Sequence, residues 1–170
     1  GASFIGSHLT EQLLALNAEV RVADNFSSGE HKYLESLDCE VLEGDLLDQS
    51  FCNLSTKGID VVFHLAADHG GRGYIDSHQV ECSTNMILDG QVFRYAHQNG
   101  VEKIIFASSG CVYPTSAQMD VTKEVFLYED MVKPPYEADD LYGWAKLMAE
   151  LTLKSYHQQL GLQTASCRYF

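Results

Sequence analysis

The run Lys103-Ile-Ile-Phe-Ala-Ser108-Ser109 is almost wholly apolar until it closes on two serines. A second such run, Val61-Val-Phe-His-Leu65, lies upstream. Strands that are apolar on both faces need cover on both faces, which points to a parallel sheet enclosed by helices. Working outward from Lys103, Asn99-Gly100 is a stop for a long helical stretch that begins after Asp76. Before Val61 comes a short helical stretch from Gln49 to Leu54, and before that the apolar segment Glu40-Val-Leu-Glu43, which leads into Gly44-Asp45. Earlier still, Glu19-Val-Arg-Val-Ala23 alternates as a strand, and Leu9, Leu13 and Leu16 recur at helical spacing. Downstream, a polar connection from Pro114 to Asp139 precedes a helix from Asp140 to Gln159 and a strand from Gln163. Strands that alternate with helices predict an α/β fold, a doubly wound parallel sheet with helices on both faces. No repeat or linker divides the chain, so residues 1–170 read as a single domain. The abrupt ends, Gly1-Ala-Ser-Phe-Ile-Gly6 and Cys167-Arg-Tyr-Phe170, lead us to expect a piece of a longer protein, with the sheet incomplete at both ends.

Composition narrows the function classes. The chain has 170 residues, 45% of them hydrophobic and 21% charged, enough apolar material for an ordinary core and too much for a disordered chain. With 11 Lys+Arg against 24 Asp+Glu, the net charge is −13. That balance argues against nucleic acid or an anionic membrane as partner, because counterion release needs a basic surface. No apolar run approaches the roughly 18 residues of a spanning helix, and no signal-peptide pattern opens the chain, so a cytoplasmic protein is expected. The cysteines at 39, 52, 82, 111 and 167 are odd in number and contain no CxxC pair, so neither a disulfide framework nor a metal site is expected.

Three features carry chemistry. Gly6, five residues after Gly1 and opening a helix, resembles the last glycine of a dinucleotide loop, where free helix N–H groups receive a pyrophosphate. Asp24 ends the next strand about twenty residues on, where a carboxylate accepts from a ribose diol and repels a 2′-phosphate, favouring NAD over NADP. Asp45, at the next strand tip, is placed for an adenine edge, with a cap for the following helix as the alternative. Tyr142 and Lys146 stand four residues apart on one helix face, where a cation lowers a phenol pKa and readies it for proton transfer. Ser109, at the carboxyl end of a parallel strand, is placed to share the same substrate hydroxyl.

The order Gly-rich turn, Asp24, Gly44-Asp45, His64-Leu-Ala-Ala67, Asn85, Ser108-Ser109 and Tyr142-x-x-x-Lys146 resembles the extended short-chain dehydrogenase/reductase family, the NAD-dependent sugar-nucleotide epimerases and dehydratases. The resemblance spans essentially the whole chain and implies a Rossmann-like fold with NAD as cofactor. It implies a nucleotide loop at Phe4, Ile5 and Gly6, a ribose contact at Asp24 and Asn25, and an adenine contact at Asp45 and Leu46. Leu65, Ala66, Ala67 and Ser108 fall beside the cofactor, and Asn85 matches an Asn that supports the active-site Lys through a helix distortion and water. Ser109, Tyr142 and Lys146 match the catalytic trio, in which Tyr142 and Lys146 also touch the cofactor.

Two segments, Leu65-Ala-Ala-Asp-His-Gly-Gly-Arg-Gly-Tyr74 and Ser108-Ser-Gly-Cys-Val-Tyr-Pro114, resemble the GDP-mannose 3,5-epimerase branch of that family. This resemblance implies a GDP-hexose substrate, transient oxidation at C4, and Cys111 as the base at C3 or C5. Gly70, Gly71 and Gly73 would let the backbone approach the sugar. Other readings stay open: a GDP-fucose synthase-like reductase, a UDP-hexose 4-epimerase, or a nucleotide-binding module without catalysis. A dehydratase is disfavoured because Gly110-Cys111 stands where that relative carries Asp-Glu. Little turnover is expected of these residues alone, and the helices Asp76–Asn99 and Asp140–Gln159 would mediate a homodimer. Of the histidines, His64 reads as a hydrogen-bonded core residue and His69 as a lesser candidate for the sugar. Cys39, Cys52, Cys82 and Cys167 read as packing residues, and Glu137, Asp139 and Asp140 as solvated surface.

Overall fold

A computed structural model describes residues 1–119, 122 and 124–170. Five strands form, all with parallel neighbours: β1 (Arg21–Asp24), β2 (Glu40–Glu43), β3 (Val61–His64), β4 (Lys103–Ser109) and β5 (Gln163–Tyr169). They alternate with helices α1 (Phe4–Ala15), α2 (Gln49–Thr56), α3 (Arg72–Ser77), α4 (Gln79–Ser83), α5 (Asn85–Gln98) and α6 (Asp140–Leu160). The expected α/β architecture is present, with one difference. The strands fall into two hydrogen-bonded groups, β1-β2 and β3-β4-β5, rather than one ladder. Sheets join only through backbone pairs, and among the described residues β1 and β3 exchange none.

β4 is central, and Ile104, Phe106 and Ser108 alternate as its buried side chains. Ile104 and Phe106 enter one apolar cluster with Leu88, Val92, Phe93 and Ala96 of α5 and Ala149 and Leu153 of α6. Phe93 meets Phe106 edge to face at 5.7 Å. This core fixes α5 and α6 over the carboxyl end of β4, where Ser109 leads into the turn that holds Cys111.

The long helix expected between Asp76 and Asn99 is instead three helices. Hydroxyls in the stretch turn back on local carbonyls, Ser83 Oγ to Val80 O at 2.6 Å and Thr84 Oγ1 to Glu81 O at 2.6 Å. Such bonds compete with the helical ladder. Asn85, at the last break, is drawn off the helix surface by a tertiary contact described below.

Candidate active site

At the amino end, α1 begins at Phe4 with no side-chain cap on Ser3 and no acidic residue in its first turn, so its first N–H groups are free for an anion. A Cβ on Gly6 would stand 2.3 Å from the Gly1 carbonyl oxygen, so only glycine allows the loop to fold onto the helix. Phe4 and Ile5 are exposed beside it. Asp24 closes β1 beneath this loop. Its Oδ2 accepts from the Gly1 amine at 2.6 Å and the Ala2 N–H at 2.8 Å, and its Oδ1 from the Phe26 N–H at 2.9 Å. Burial pushes its pKa up, while the hydrogen bonds from the Ala2 and Phe26 N–H groups pull it down.

Asn25 is exposed and accepts from the Ser27 N–H at 3.1 Å. Asp45 is exposed at the tip of β2 with Oδ1 on the Leu47 N–H, while Leu46 packs against the core. The alternative of an Asp45 cap is thereby corrected: the cap of α2 is Asp48, whose Oδ1 accepts from Ser50 and Phe51. Leu65, Ala66 and Ala67 run half-buried off the end of β3.

The second half of the site is assembled by α6 lying against the turn after β4. Tyr142 lies in an apolar cluster with Ile75, Cys82, Tyr74 and Cys111. The Ser109 hydroxyl accepts from the Cys111 N–H at 3.2 Å. Burial, the Cys111 thiol, Cys82 and Asp89 push the Tyr142 phenol up to about 12, with Ser109 acting in the opposite direction. The phenol pKa is thus raised rather than lowered as the Tyr–Lys spacing anticipated, because burial is the largest influence on it. Lys146, one turn along, is 2% exposed, with Nζ 4.7 Å over the Phe106 ring and 5.9 Å from that of Tyr142. Its own pKa is pushed down by burial, with Asp89 acting against that.

The turn and the helix touch at a backbone contact. A Cβ on Gly143 would stand 2.5 Å from the Cys111 carbonyl oxygen, and that oxygen accepts from the Asp139 N–H at 2.9 Å. Ser108, by contrast, is consumed by the core: its Oγ donates to Glu150 at 2.5 Å, and Glu150 holds Arg168 through two nitrogens.

Asn85 is fully buried and clamps the Asp68 backbone, accepting from its N–H and donating to its carbonyl, each at 2.8 Å. Its visible role is thus to fix the segment after β3, rather than a direct contact to Lys146. Of the glycines there, a Cβ on Gly70 would press on the Tyr74 ring, whereas Gly71 and Gly73 face open space at the start of α3. Arg72 forms ion pairs with Asp76, Asp139 and Asp140, tying this segment to the start of α6. Asp139 and Asp140 are therefore not mere solvated surface. Cys82 is the buried packing residue expected, lying against Tyr142 with Sγ 3.9 Å from Asp68 Oδ1, whereas Cys167 is exposed rather than packed. His69 is exposed and within reach only of the Ala67 carbonyl. His64 is the buried, hydrogen-bonded core residue expected, with Asp89 as its partner at 2.8 Å.

The chain matches the NAD dependent epimerase/dehydratase family profile over residues 1–170. The chain belongs to that family. It is 33% identical over 98% of its length to GDP-mannose 3,5-epimerase of Arabidopsis thaliana, covering 44% of that protein. It also superimposes on a crystal structure of UDP-galactose 4-epimerase with a TM-score of 0.84 and 34% identity, covering 99% of this chain and 53% of that one. UDP-glucose 4-epimerase of Thermus thermophilus, solved in complex with NAD, gives a TM-score of 0.84 at 28% identity, over 99% of this chain and 52% of that one. The chain spans about half the length of these relatives. Among the described residues, no helix of this epimerase/dehydratase family member is long and apolar enough to cross a membrane.

Proposed function

We propose that the protein is an NAD-dependent sugar-nucleotide epimerase that acts on a GDP-hexose, oxidising C4 transiently and exchanging protons at C3 or C5. The observation that carries this reading is the convergence of Ser109, Cys111 and Tyr142 at the carboxyl end of β4, where Ser109 accepts from the Cys111 N–H and Cys111 packs against Tyr142. The family's NAD dependence fits the residues present. The uncapped start of α1 and the close fold of Gly1 on Gly6 suit a pyrophosphate, while Phe4, Ile5, Asn25, Leu46, Leu65, Ala66 and Ala67 would border the rest of the cofactor. Asp24 would receive the adenosine ribose and reject a 2′-phosphate, and Asp45 would meet the adenine. When bound, NAD supplies a hydride acceptor that later returns the same hydride.

In this reading Tyr142 takes the C4 hydroxyl proton, with Ser109 donating to the same oxygen and Lys146 holding the nicotinamide ribose and stabilising tyrosinate. The ketone acidifies the neighbouring C–H bonds. Cys111, as thiolate, then removes a proton from C3 or C5, and a second acid on the opposite face delivers one. Tyr142 returns its proton as the carbonyl is reduced, so the cycle has no net redox change. Gly71 and Gly73, which face open space, and Gly70 leave backbone for the sugar to approach. GDP is favoured by the Arabidopsis relative, and the UDP-sugar relatives support a UDP-hexose 4-epimerase as the second reading.

The deciding experiment incubates the intact protein with NAD and a panel of GDP- and UDP-hexoses in D₂O and locates the deuterium by NMR. Deuterium at C3 or C5 of a GDP-hexose, abolished by Cys111→Ala, is expected. Isomerised product without solvent deuterium establishes direct hydride return at C4 and leaves Cys111 as packing, and no reaction with any sugar leaves a binding module. Met86 and Met148, exposed beside the groove between α5 and α6, support a homodimer through these helices, which sedimentation at micromolar concentration would reveal.

A further inference from the structure

Three titratable side chains lie in the interior behind Tyr142, where the proposed chemistry employs one. His64 at the end of β3, Asp89 on α5 and Lys146 on α6 are 2, 1 and 2% exposed. His64 Nε2 stands 2.8 Å from Asp89 Oδ1, within hydrogen-bond reach of the carboxyl group. Asp89 Oδ2 is shut off from solvent and has no hydrogen-bond partner, alone in this among the described residues. Although Asp89 lies on the floor of the α5–α6 groove, that oxygen is out of reach of water. Phe106 links the pair to the lysine: the His64 ring is tilted against it at 5.7 Å, and Lys146 Nζ sits over it at 4.7 Å.

We propose that Asp89 is a positioning residue whose unpaired Oδ2 is the counter-charge that keeps Lys146 an ammonium beside Tyr142. A buried ammonium persists only where a buried negative charge balances it. Here one carboxylate serves two bases. Were His64 to take a proton, the charge of Asp89 would be spent within that pair, and Lys146 would shed its proton to the solvent. A neutral His64 that donates one N–H orients the carboxylate and leaves its charge to the lysine. The other ionisable groups facing this cluster are Tyr142 on α6, Cys82 on α4 and Cys111 after β4, all on the far side of the phenol. Glu150, one turn beyond Lys146, is occupied by Arg168 and Ser108, and Asp68 by Tyr74. Burial drives Lys146 towards the neutral amine, and the field of Asp89 opposes it.

The inference deepens the proposed function, since it rests on the role given there to Lys146. Its test needs neither turnover nor cofactor. In intact protein carrying ¹³C-labelled lysine, the Lys146 ε-carbon, assigned by its loss in Lys146→Met, is titrated by NMR from about pH 6 to 11, a range that brackets an ordinary lysine. Asp89→Asn keeps the acceptor for His64 and removes the charge, so the Lys146 protonation constant is expected to fall at least tenfold, while Asp89→Glu holds it within a few-fold of the parent. The high-pH limb of turnover moves to lower pH in Asp89→Asn by the same factor. A Lys146 titration unmoved in Asp89→Asn, or lowered equally in Asp89→Glu, overturns the proposal. His64→Gln, which donates to Oδ1 but never takes the second proton, covers the case in which Asp89→Asn does not fold: Lys146 stays at or above its parent value, and a fall overturns the proposal. A lowered Lys146 in Asp89→Asn, together with no turnover of any sugar nucleotide by the parent protein, upholds the charge coupling and refutes the proposed function instead.

Discussion

Gly143→Ala tests the contact on which the site is built. In most helices this substitution stabilises by up to about 1 kcal/mol, through backbone propensity alone. Here the added methyl group would lie 2.5 Å from the Cys111 carbonyl oxygen, with the carbonyl carbon at 3.2 Å and Cβ at 3.3 Å. Ordinary contact begins near 3.4 Å, so about 0.9 Å must open between α6 and the turn. The carbonyl has little freedom to swing aside, because the Asp139 N–H holds it at 2.9 Å. Overpacking of this kind costs about 1–3 kcal/mol, so after the propensity gain the net loss is about 0–2 kcal/mol. Function suffers more: displacing Cys111 from Tyr142 by nearly 1 Å is expected to cut turnover on the order of 100-fold. Urea denaturation paired with steady-state epimerisation reads both quantities. Gly90→Ala on α5, whose Cβ meets nothing within 4 Å, is the internal control and should gain up to about 1 kcal/mol with full activity. A Gly143→Ala protein stabilised like the control and equally active refutes the close approach.

Other outcomes follow from charge. The Tyr142 phenol is raised to about 12, so the unfolded chain ionises first, and stability should fall as pH climbs from about 10 to about 12; Tyr142→Phe removes that component from a series of denaturation curves. Asp24→Ala, by calorimetric titration, is expected to weaken NAD about tenfold while leaving NADP less affected, the effect of one lost charge-assisted hydrogen bond.

Much of the site was legible because strand ends and helix faces are local properties. The serines that close β4, the aspartate that closes β1 and the four-residue spacing of Tyr142 and Lys146 each follow from a period of two or of 3.6. The illegible parts share a different origin. Asn85 turns inward because the Asp68 backbone, seventeen residues away, offers its side chain two hydrogen bonds. Asp139 reads as a solvated acid until Arg72 reaches it across the site entrance. Cys82 carries no motif, yet it lies against Tyr142. Asp89 sits on an amphipathic helix as any surface acid would, and nothing local says that it turns inward.

The amino-acid sequence alone determined the alternation of strands and helices, the positions of their chemistry-bearing ends, and the acidic balance that disfavours polyanions. Tertiary structure decided which of those residues meet, and with what charge. A hydrophobic period is set by neighbours along the chain, whereas the protonation of Lys146 and Tyr142 depends on how much water the rest of the fold removes from around them.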